Sequence, residues 1–194
     1  MVQKKYHHGD LRLALVKAAR VILERDGLAA LTLRACAREA GVSHAAPMHH
    51  FRSLAELQSA IASSGFGDFV AFLESESGQE SKPGARLLAM GHAYVRFSAL
   101  HPALYRLMFG VEKSHVMSQE LLAAMSAAWL QLFGAVTAAA GHEDAEQKAL
   151  FVWSFVHGHS MLRASQFVPP SVDLDDHLQG ALALLARGIN AEGV

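Results

Sequence analysis

The twelve histidines and the single cysteine are the residues of this 194-residue chain best suited to metal binding or catalysis. Their spacing favours neither role. His157 and His159 are two residues apart, so a helix would point them to different sides, and His49 and His50 are adjacent. No Cys, His, Asp and Glu cluster has the spacing of a zinc site, and no nucleophile elbow or phosphate-binding loop occurs. We expect no metal, no cofactor and no catalysis, with Cys36 as a buried structural thiol.

Composition and periodicity predict an all-α protein. Only five prolines occur, and Ala and Leu are abundant, which favours helix throughout the chain. We expect about nine helices, the first from Asp10 to Asp26 with Gly27 as its left-handed terminator. Ser53 and Glu56 form a capping box that starts a long helix. With 52% hydrophobic and 18% charged residues, the chain has apolar surface for a buried pocket or a subunit interface.

The sequence gives no sign of a membrane protein or a secreted one. Its start, MVQKKYHHGD, is polar and lacks the apolar core of a signal peptide. We expect charged residues and histidines to interrupt every apolar stretch before it reaches the roughly 18 residues of a membrane span. A single cysteine excludes an internal disulfide. We therefore expect a cytoplasmic protein with no membrane partner.

Residues 31–51 have the pattern of a helix-turn-helix. Thr32 is placed to cap a helix of about eight residues, a tight turn follows from Gly41 to Ser43, and Ser43 is placed to cap a second short helix. In this motif the second helix enters the major groove of DNA, where its first residues meet base edges. Phe51 would anchor that segment to the core.

The uneven distribution of charge supports this interpretation. Residues 1–57 contain nine Lys and Arg against five Asp and Glu, whereas residues 58–194 contain eight against thirteen. A basic head on an acidic body suggests that the head meets a polyanion. Two alternatives stay open on these patterns alone: a helical ligand carrier that does not bind DNA, and a small helical enzyme that uses His157 as a base.

The detailed sequence resembles the TetR family of transcriptional regulators over essentially the whole chain. Residues 6–68 are similar to the family's N-terminal domain: a first helix that ends in glycine, then LTLRACAREAGVS, then HHF, then a helix opened by serine. The stretches GHAYVRFSALHPALYRLMFG and FVWSFVHGHSML look like the C-terminal domain of a subgroup with a Trp-His-Gly signature, here spread over Trp153, His157 and Gly158.

This resemblance implies a three-helix DNA-binding domain at 6–68 and a larger helical domain for effector binding and dimerisation at 69–194. The protein would be a ligand-responsive regulator, usually a repressor, that binds a palindromic operator as a homodimer and is released by a small, mostly apolar effector. The residues carried over to DNA contact are Lys4, Lys5, Tyr6, His7, Thr32, Arg34, Ser43, His44, Ala45, Met48, His49 and Arg52. Those expected in the effector pocket are Tyr94, Phe97, Tyr105, Met108, Phe109, Trp129, Phe133, Trp153, His157 and Met161. Those expected at the dimer interface are Phe151, Phe155, Gly158, His159, Leu162, Leu178, Leu182 and Leu185.

Two positions depart from the family's pattern. Met48 stands where a tyrosine is usual and Leu54 where a lysine is usual, and both usual side chains contact phosphate. We expect these losses to weaken nonspecific affinity for DNA, with Arg52 and the N-terminal arm compensating. Pro47 removes a backbone donor and disfavours helix at Ala46, so we expect the recognition helix to begin irregularly.

Overall fold

The computed structural model describes residues 8–110, 116–165, 168–169 and 171–190. Within these ranges every regular element is helical, which confirms the all-α prediction. They contain eight α-helices, against about nine expected: α1 (His8–Asp26), α2 (Leu33–Glu39), α3 (Leu54–Ser77), α4 (Pro83–Leu100), α5 (Pro102–Phe109), α6 (Gln119–Ala140), α7 (Ala145–Ser165) and α8 (Leu174–Asn190). Two short 3₁₀ turns, Leu28–Ala30 and Ala46–His49, precede α2 and α3 respectively.

The chain forms two compact units that do not simply follow the order of the sequence. The first unit contains the described residues up to Phe66 together with His101–Met125. The second contains Gly67–Leu100 and the described residues from Ser126 onward. The division inside α3 lies close to the domain boundary expected after residue 68. The difference is that α5 and the first turns of α6 belong with the helix-turn-helix.

In the first unit, α1 packs against α2 and α5. Leu15 is fully buried on the inward face of α1, and the ring of Phe51 is only 2% exposed. The guanidinium of Arg12 lies 5.4 Å from the centre of the Phe51 ring. The backbone N–H of Leu104 donates to Glu24 Oε1 at 3.2 Å, which ties the start of α5 to α1. Burial of a side chain as large as Phe51 contributes about 2–3 kcal/mol to folding.

Hydrogen bonds fix the beginning of α6 to the first unit. Ser59 Oγ donates to Ser118 Oγ at 2.8 Å, and Ser63 Oγ donates to the carbonyl of Glu120 at 3.2 Å. Arg12 Nη2 lies 2.7 Å from Glu120 Oε2. Because the Arg12–Glu120 pair is exposed, it contributes at most about 1 kcal/mol, and the serine bonds define the geometry. From Ser126 onward the same helix belongs to the second unit.

In the second unit, α4 packs against α7 and α8. Gly91 permits a close approach of α8, since a Cβ at this position would lie 2.9 Å from Leu182 Cδ2. Buried side chains of four helices form one apolar cluster: Leu87, Val136, Ala149, Val152, Leu185 and Ile189.

Helix α6 contradicts the expectation that every apolar stretch is interrupted by a charge. No charged residue and no histidine occurs from Leu121 to Ala140. By length and composition this helix alone, among those of the described residues, could cross a membrane, with a mean hydropathy of 1.6. The polar side chains in this stretch are uncharged: Ser126, Gln131 and Thr137. Gln131 Nε2 donates to the carbonyl of Val70 at 3.2 Å and Val136 is fully buried, while only 11% of the apolar stretch as a whole is buried.

Gly27 follows the last residue of α1 and has a backbone conformation that residues with a side chain rarely adopt. Its N–H donates to the carbonyl of Leu23 at 3.0 Å, and it has φ 81° and ψ 176°. The positive φ was expected, but the extended ψ places this residue in a region that is essentially restricted to glycine and not in the left-handed helical region.

We therefore predict that Gly27→Ala lowers the free energy of unfolding by about 1–3 kcal/mol, because a Cβ is strained at this φ and ψ. Gly67→Ala is the control, since Gly67 lies inside α3 and an added Cβ would meet nothing within 4 Å. That change should raise stability by about 0.5–1 kcal/mol through helix propensity. Urea unfolding followed by circular dichroism measures both, and equal effects of the two substitutions would contradict the assignment.

The single thiol, Cys36, is fully buried on the inward face of α2. Burial raises its pKa to about 11. The thiolate is the reactive form of cysteine, so only roughly one thiol in a thousand is ionised at pH 8.

We predict that Cys36 reacts with a disulfide reagent such as Ellman's at pH 8 far more slowly in the native protein than in denaturant. Ser81→Cys supplies an exposed thiol as the control, and it should react at the rate of a free cysteine. A native Cys36 as reactive as the thiol at position 81 would rule out the buried structural role.

Candidate functional site

The first helix of the helix-turn-helix is capped as the sequence predicts. Thr32 Oγ1 accepts a hydrogen bond from the N–H of Ala35 at 3.0 Å, which satisfies one of the free donors at the start of α2. Arg34 and Arg38 on this helix are exposed. With φ 67°, Gly41 supplies the left-handed residue of the turn that follows.

The second helix of the motif is shorter than expected, and Ser43 does not cap it. The carbonyl of Ser43, and not its hydroxyl, accepts from the N–H of Ala46 at 3.0 Å. A single 3₁₀ turn, Ala46–His49, follows with no side-chain cap. Pro47 explains this geometry because it lacks an N–H and disfavours helix at the preceding residue, so the irregular start predicted from Pro47 is confirmed.

The side chains of this segment divide cleanly between core and solvent. Pro47 and Phe51 are buried. The exposed set is Ser43, His44, Ala45, Met48 and His49. Met48 is 56% exposed.

A shallow concavity of about 450 Å³ lies between α2 and the turn. Its lining residues are Ala30, Thr32, Arg34, Ala35, Arg38 and His44. Arg34 and Arg38 give this surface a positive charge, and His44 adds a further donor. Such a concavity suits a phosphate group. Arg38 was absent from the contacts expected from the family pattern, although its outward position on α2 could have indicated it.

The start of α3 places Arg52 beside the motif. The N–H of Glu56 donates to Ser53 Oγ at 3.2 Å, and Glu56 Oε2 accepts from the N–H of Arg52 at 2.8 Å. The capping box therefore reaches one residue further back than expected. The side chain of Arg52 is exposed and that of Leu54 is half-buried. The expected arm residues Lys4, Lys5, Tyr6 and His7 lie outside the described residues.

In the second unit, Tyr94, Trp153 and His157 form a hydrogen-bonded group. Trp153 Nε1 donates to Tyr94 Oη at 3.3 Å, and Tyr94 Oη lies 3.0 Å from His157 Nδ1. Tyr94 is buried, whereas Trp153 and His157 are half-buried. Burial lowers the pKa of His157 below its usual value, so its imidazole is neutral at pH 7.

The other expected pocket residues fall into two groups. Trp129 and Phe133 of α6 are half-buried, and the Trp129 ring centre lies 6.3 Å from that of Trp153. Phe97 is only 1% exposed, whereas Met161 is exposed on α7. Tyr105, Met108 and Phe109 lie on α5 and belong to the first unit. There the Tyr105 and Phe109 rings are 4.9 Å apart, and Met108 packs on Gly65.

The residues expected at a dimer interface also fall into two groups. Phe151 and Leu162 are more than half exposed on α7, with Phe155 and Gly158 half-buried between them. The other group is buried within the chain itself: His159, Leu178, Leu182 and Leu185. His159 stacks on His177 with 6.0 Å between ring centres. An exposed apolar residue that was not predicted is Leu184 of α8, at 62% exposure.

Across the described ranges, no three His, Cys, Asp or Glu side chains lie close enough together to hold a metal ion.

Models of two protein families together match most of the chain. The family described as "Bacterial regulatory proteins, tetR family" matches residues 15–61. The family described as "Tetracyclin repressor-like, C-terminal domain" matches residues 87–185, which is half of the chain. The two matches fall on the helix-turn-helix and on the helices that hold the Tyr94 group.

Three individual proteins are similar to most of this chain. An uncharacterised HTH-type transcriptional regulator of Mycobacterium tuberculosis is 26% identical over 183 residues, which cover 92% of this chain and 81% of the relative. A solved protein of unknown function from Rhodococcus sp. RHA1 is 36% identical, covers 97% of this chain and 100% of its own, and has a TM-score of 0.83. A tetR-family regulatory protein from Rhodococcus RHA1 shares the fold at 18% identity with a TM-score of 0.67, over 94% of this chain and 98% of its own. The chain is therefore a transcriptional regulator of the TetR family and not an enzyme.

Proposed function

We propose that this regulator binds a palindromic operator as a homodimer, that it represses transcription, and that a small, mostly apolar effector releases it. The observation that carries the proposal is the positively charged concavity beside a short, outward-facing recognition turn in a TetR-family chain. A cytoplasmic location fits this role. Membership of the Trp-His-Gly subgroup is part of the same proposal.

The helix-turn-helix contacts both the phosphates and the bases of the operator. Arg34 and Arg38 meet phosphates together with the backbone at Thr32, while Ser43 and His44 reach base edges. Ala45 and His49 complete the reading surface, and the small side chain of Ala45 allows close approach. Met48 and Leu54 supply no phosphate contact, so affinity depends more on Arg34, Arg38, Arg52 and the arm.

The homodimer forms through α7 and α8, whose exposed apolar side chains offer a surface for the partner. Phe151, Leu162 and Leu184 are each about half exposed or more, and half-buried Gly158 allows helices to approach closely. Two helices from each subunit make a four-helix interface. Because Leu178, Leu182 and Leu185 already lie in the chain's own core, they stabilise the helix that carries this face without being part of it.

Helix α6 contributes residues to both units, so it can couple effector binding to DNA binding. Its first turn is hydrogen-bonded to the first unit through Ser118 and Glu120, and further along it carries Trp129 and Phe133. An effector that prefers a wider spacing of the two reading heads lowers operator affinity by the difference in its affinity for the two states.

The test of DNA binding is fluorescence anisotropy with the DNA upstream of the protein's own gene. We expect salt-sensitive binding that is selective over scrambled duplex. The combined substitution Arg34→Ala and Arg38→Ala should flatten the slope of log affinity against log salt by about four, because each of the two subunits loses two phosphate contacts. Arg86→Ala removes a charge of the second unit and should leave the slope unchanged. Equal affinity for scrambled duplex would refute operator recognition, and no binding at all would favour the ligand carrier.

The test of the dimer is sedimentation at micromolar concentration. The wild-type chain should sediment at twice the 20.9 kDa monomer mass. Leu162→Asp and Leu184→Asp should each give monomers, because a charge in an apolar interface is left without a partner. Leu100→Asp alters an equally exposed leucine at the end of α4 and should remain a dimer. A wild-type protein that sediments only as a monomer would contradict the proposal.

A further inference from the structure

The hydrogen bonds of the recognition turn set its side chains in rows. The N–H of Met48 donates to the carbonyl of Ala45 at 3.2 Å, and the N–H of His50 donates to that of Pro47 at 2.9 Å. In such 3₁₀ geometry the side chains of residues three apart lie one above the other. Ala45 therefore shares a row with Met48, and Pro47 shares another with His50. Because Pro47 is buried whereas Ala45 and Met48 are both exposed, the Ala45–Met48 row faces outward.

The Ala45–Met48 row is an apolar strip within a polar surface. Its neighbours on the exposed side of the turn are Ser43, His44 and His49. The row itself offers a methyl group and a thioether, neither of which donates a hydrogen bond. The unbranched chain of Met48 is flexible and its sulfur is polarisable, so this side chain can adapt its contact to a small apolar group.

The turn carries none of the side chains that pair with purines through two hydrogen bonds. Residues 43–49 read SHAAPMH, without Arg, Lys, Asn or Gln. Those four residue types make the bidentate contacts to guanine and adenine in the major groove. Ser and His can each add a single hydrogen bond, but an apolar row needs an apolar group on the base. Among the four unmodified bases, the C5-methyl of thymine is the apolar group that the major groove presents.

We propose that Met48 is a specificity-determining residue: in the operator complex the Ala45–Met48 row packs against the C5-methyl group of a thymine, once in each half-site. This rests on the proposed function and adds the base that the turn reads. Removal of one methyl group from an apolar contact lowers affinity about fourfold. Because the homodimer makes the contact twice, removal of both methyl groups lowers affinity about fifteenfold.

Fluorescence anisotropy with deoxyuridine-substituted duplexes tests the proposal. The starting duplex is the selectively bound segment upstream of the gene. Each thymine is replaced in turn by deoxyuridine, first in one half-site and then at the matching position of both. Deoxyuridine keeps the base pair and its hydrogen bonds and lacks only the methyl group. We expect at least one position at which the wild type loses about fourfold in affinity for one half-site and about fifteenfold for both.

Variants of Met48 assign the effect to its side chain. The measured quantity is the ratio of affinities for the thymine and deoxyuridine duplexes, in which any general loss of binding or folding cancels. Met48→Ala should reduce this ratio for one half-site to about twofold or less, with Ala45 as the remaining contact. Met48→Leu keeps an apolar side chain and should keep most of the ratio. Met117→Ala removes a methionine that is 43% exposed outside the turn and should leave the ratio unchanged.

The outcomes distinguish failure of this inference from failure of the proposed function. Selective operator binding with no position sensitive to deoxyuridine would overturn thymine recognition alone. A sensitive position with the same ratio in the wild type and in Met48→Ala would show that another residue contacts the methyl group, and would overturn the role of Met48. Absence of selective binding by the wild type would overturn the proposed function itself.

Discussion

Burial of Phe51 is the constraint on which the reading head depends. The recognition segment is a single 3₁₀ turn, too short to hold its own conformation by helical hydrogen bonds. Its orientation comes from two buried side chains on its inward side, Pro47 and Phe51, and Arg12 covers the Phe51 ring from α1. Every outward residue of the turn is positioned by these contacts. A short turn can therefore keep a defined outward surface because the core, and not helical hydrogen bonding, fixes its conformation.

The sequence predicted the parts of the fold that local chemistry controls. As expected, helices start after Thr32 and Ser53, and α2 ends shortly before Gly41. These signals could be predicted because caps and left-handed glycines act within a few residues. Ser43 has the same residue type as a cap, but Pro47 four residues later changed the geometry that a cap requires. The prediction that Ser43 caps a helix therefore failed because two local preferences compete, the capping preference of serine and the helix-disrupting effect of Pro47.

The sequence could not show which apolar residues pack inside the chain and which remain exposed, because a core and an interface use the same residue types. Leu178, Leu182 and Leu185 form a regular stripe that is equally suited to either role, and the fold turns that stripe inward. The outward face of α8 is marked instead by Leu184 among smaller residues, a weaker pattern.

The positions of two rare residue types make the two units separately observable. Both tryptophans of the chain, Trp129 and Trp153, lie in the second unit, with ring centres 6.3 Å apart. The only cysteine, Cys36, lies in the first. Tryptophan emission therefore reports on the second unit alone, and protection of the thiol reports on the first unit alone. Without any label, one denaturation series can reveal whether the two halves lose structure together or in sequence, which is the thermodynamic meaning of coupling between them.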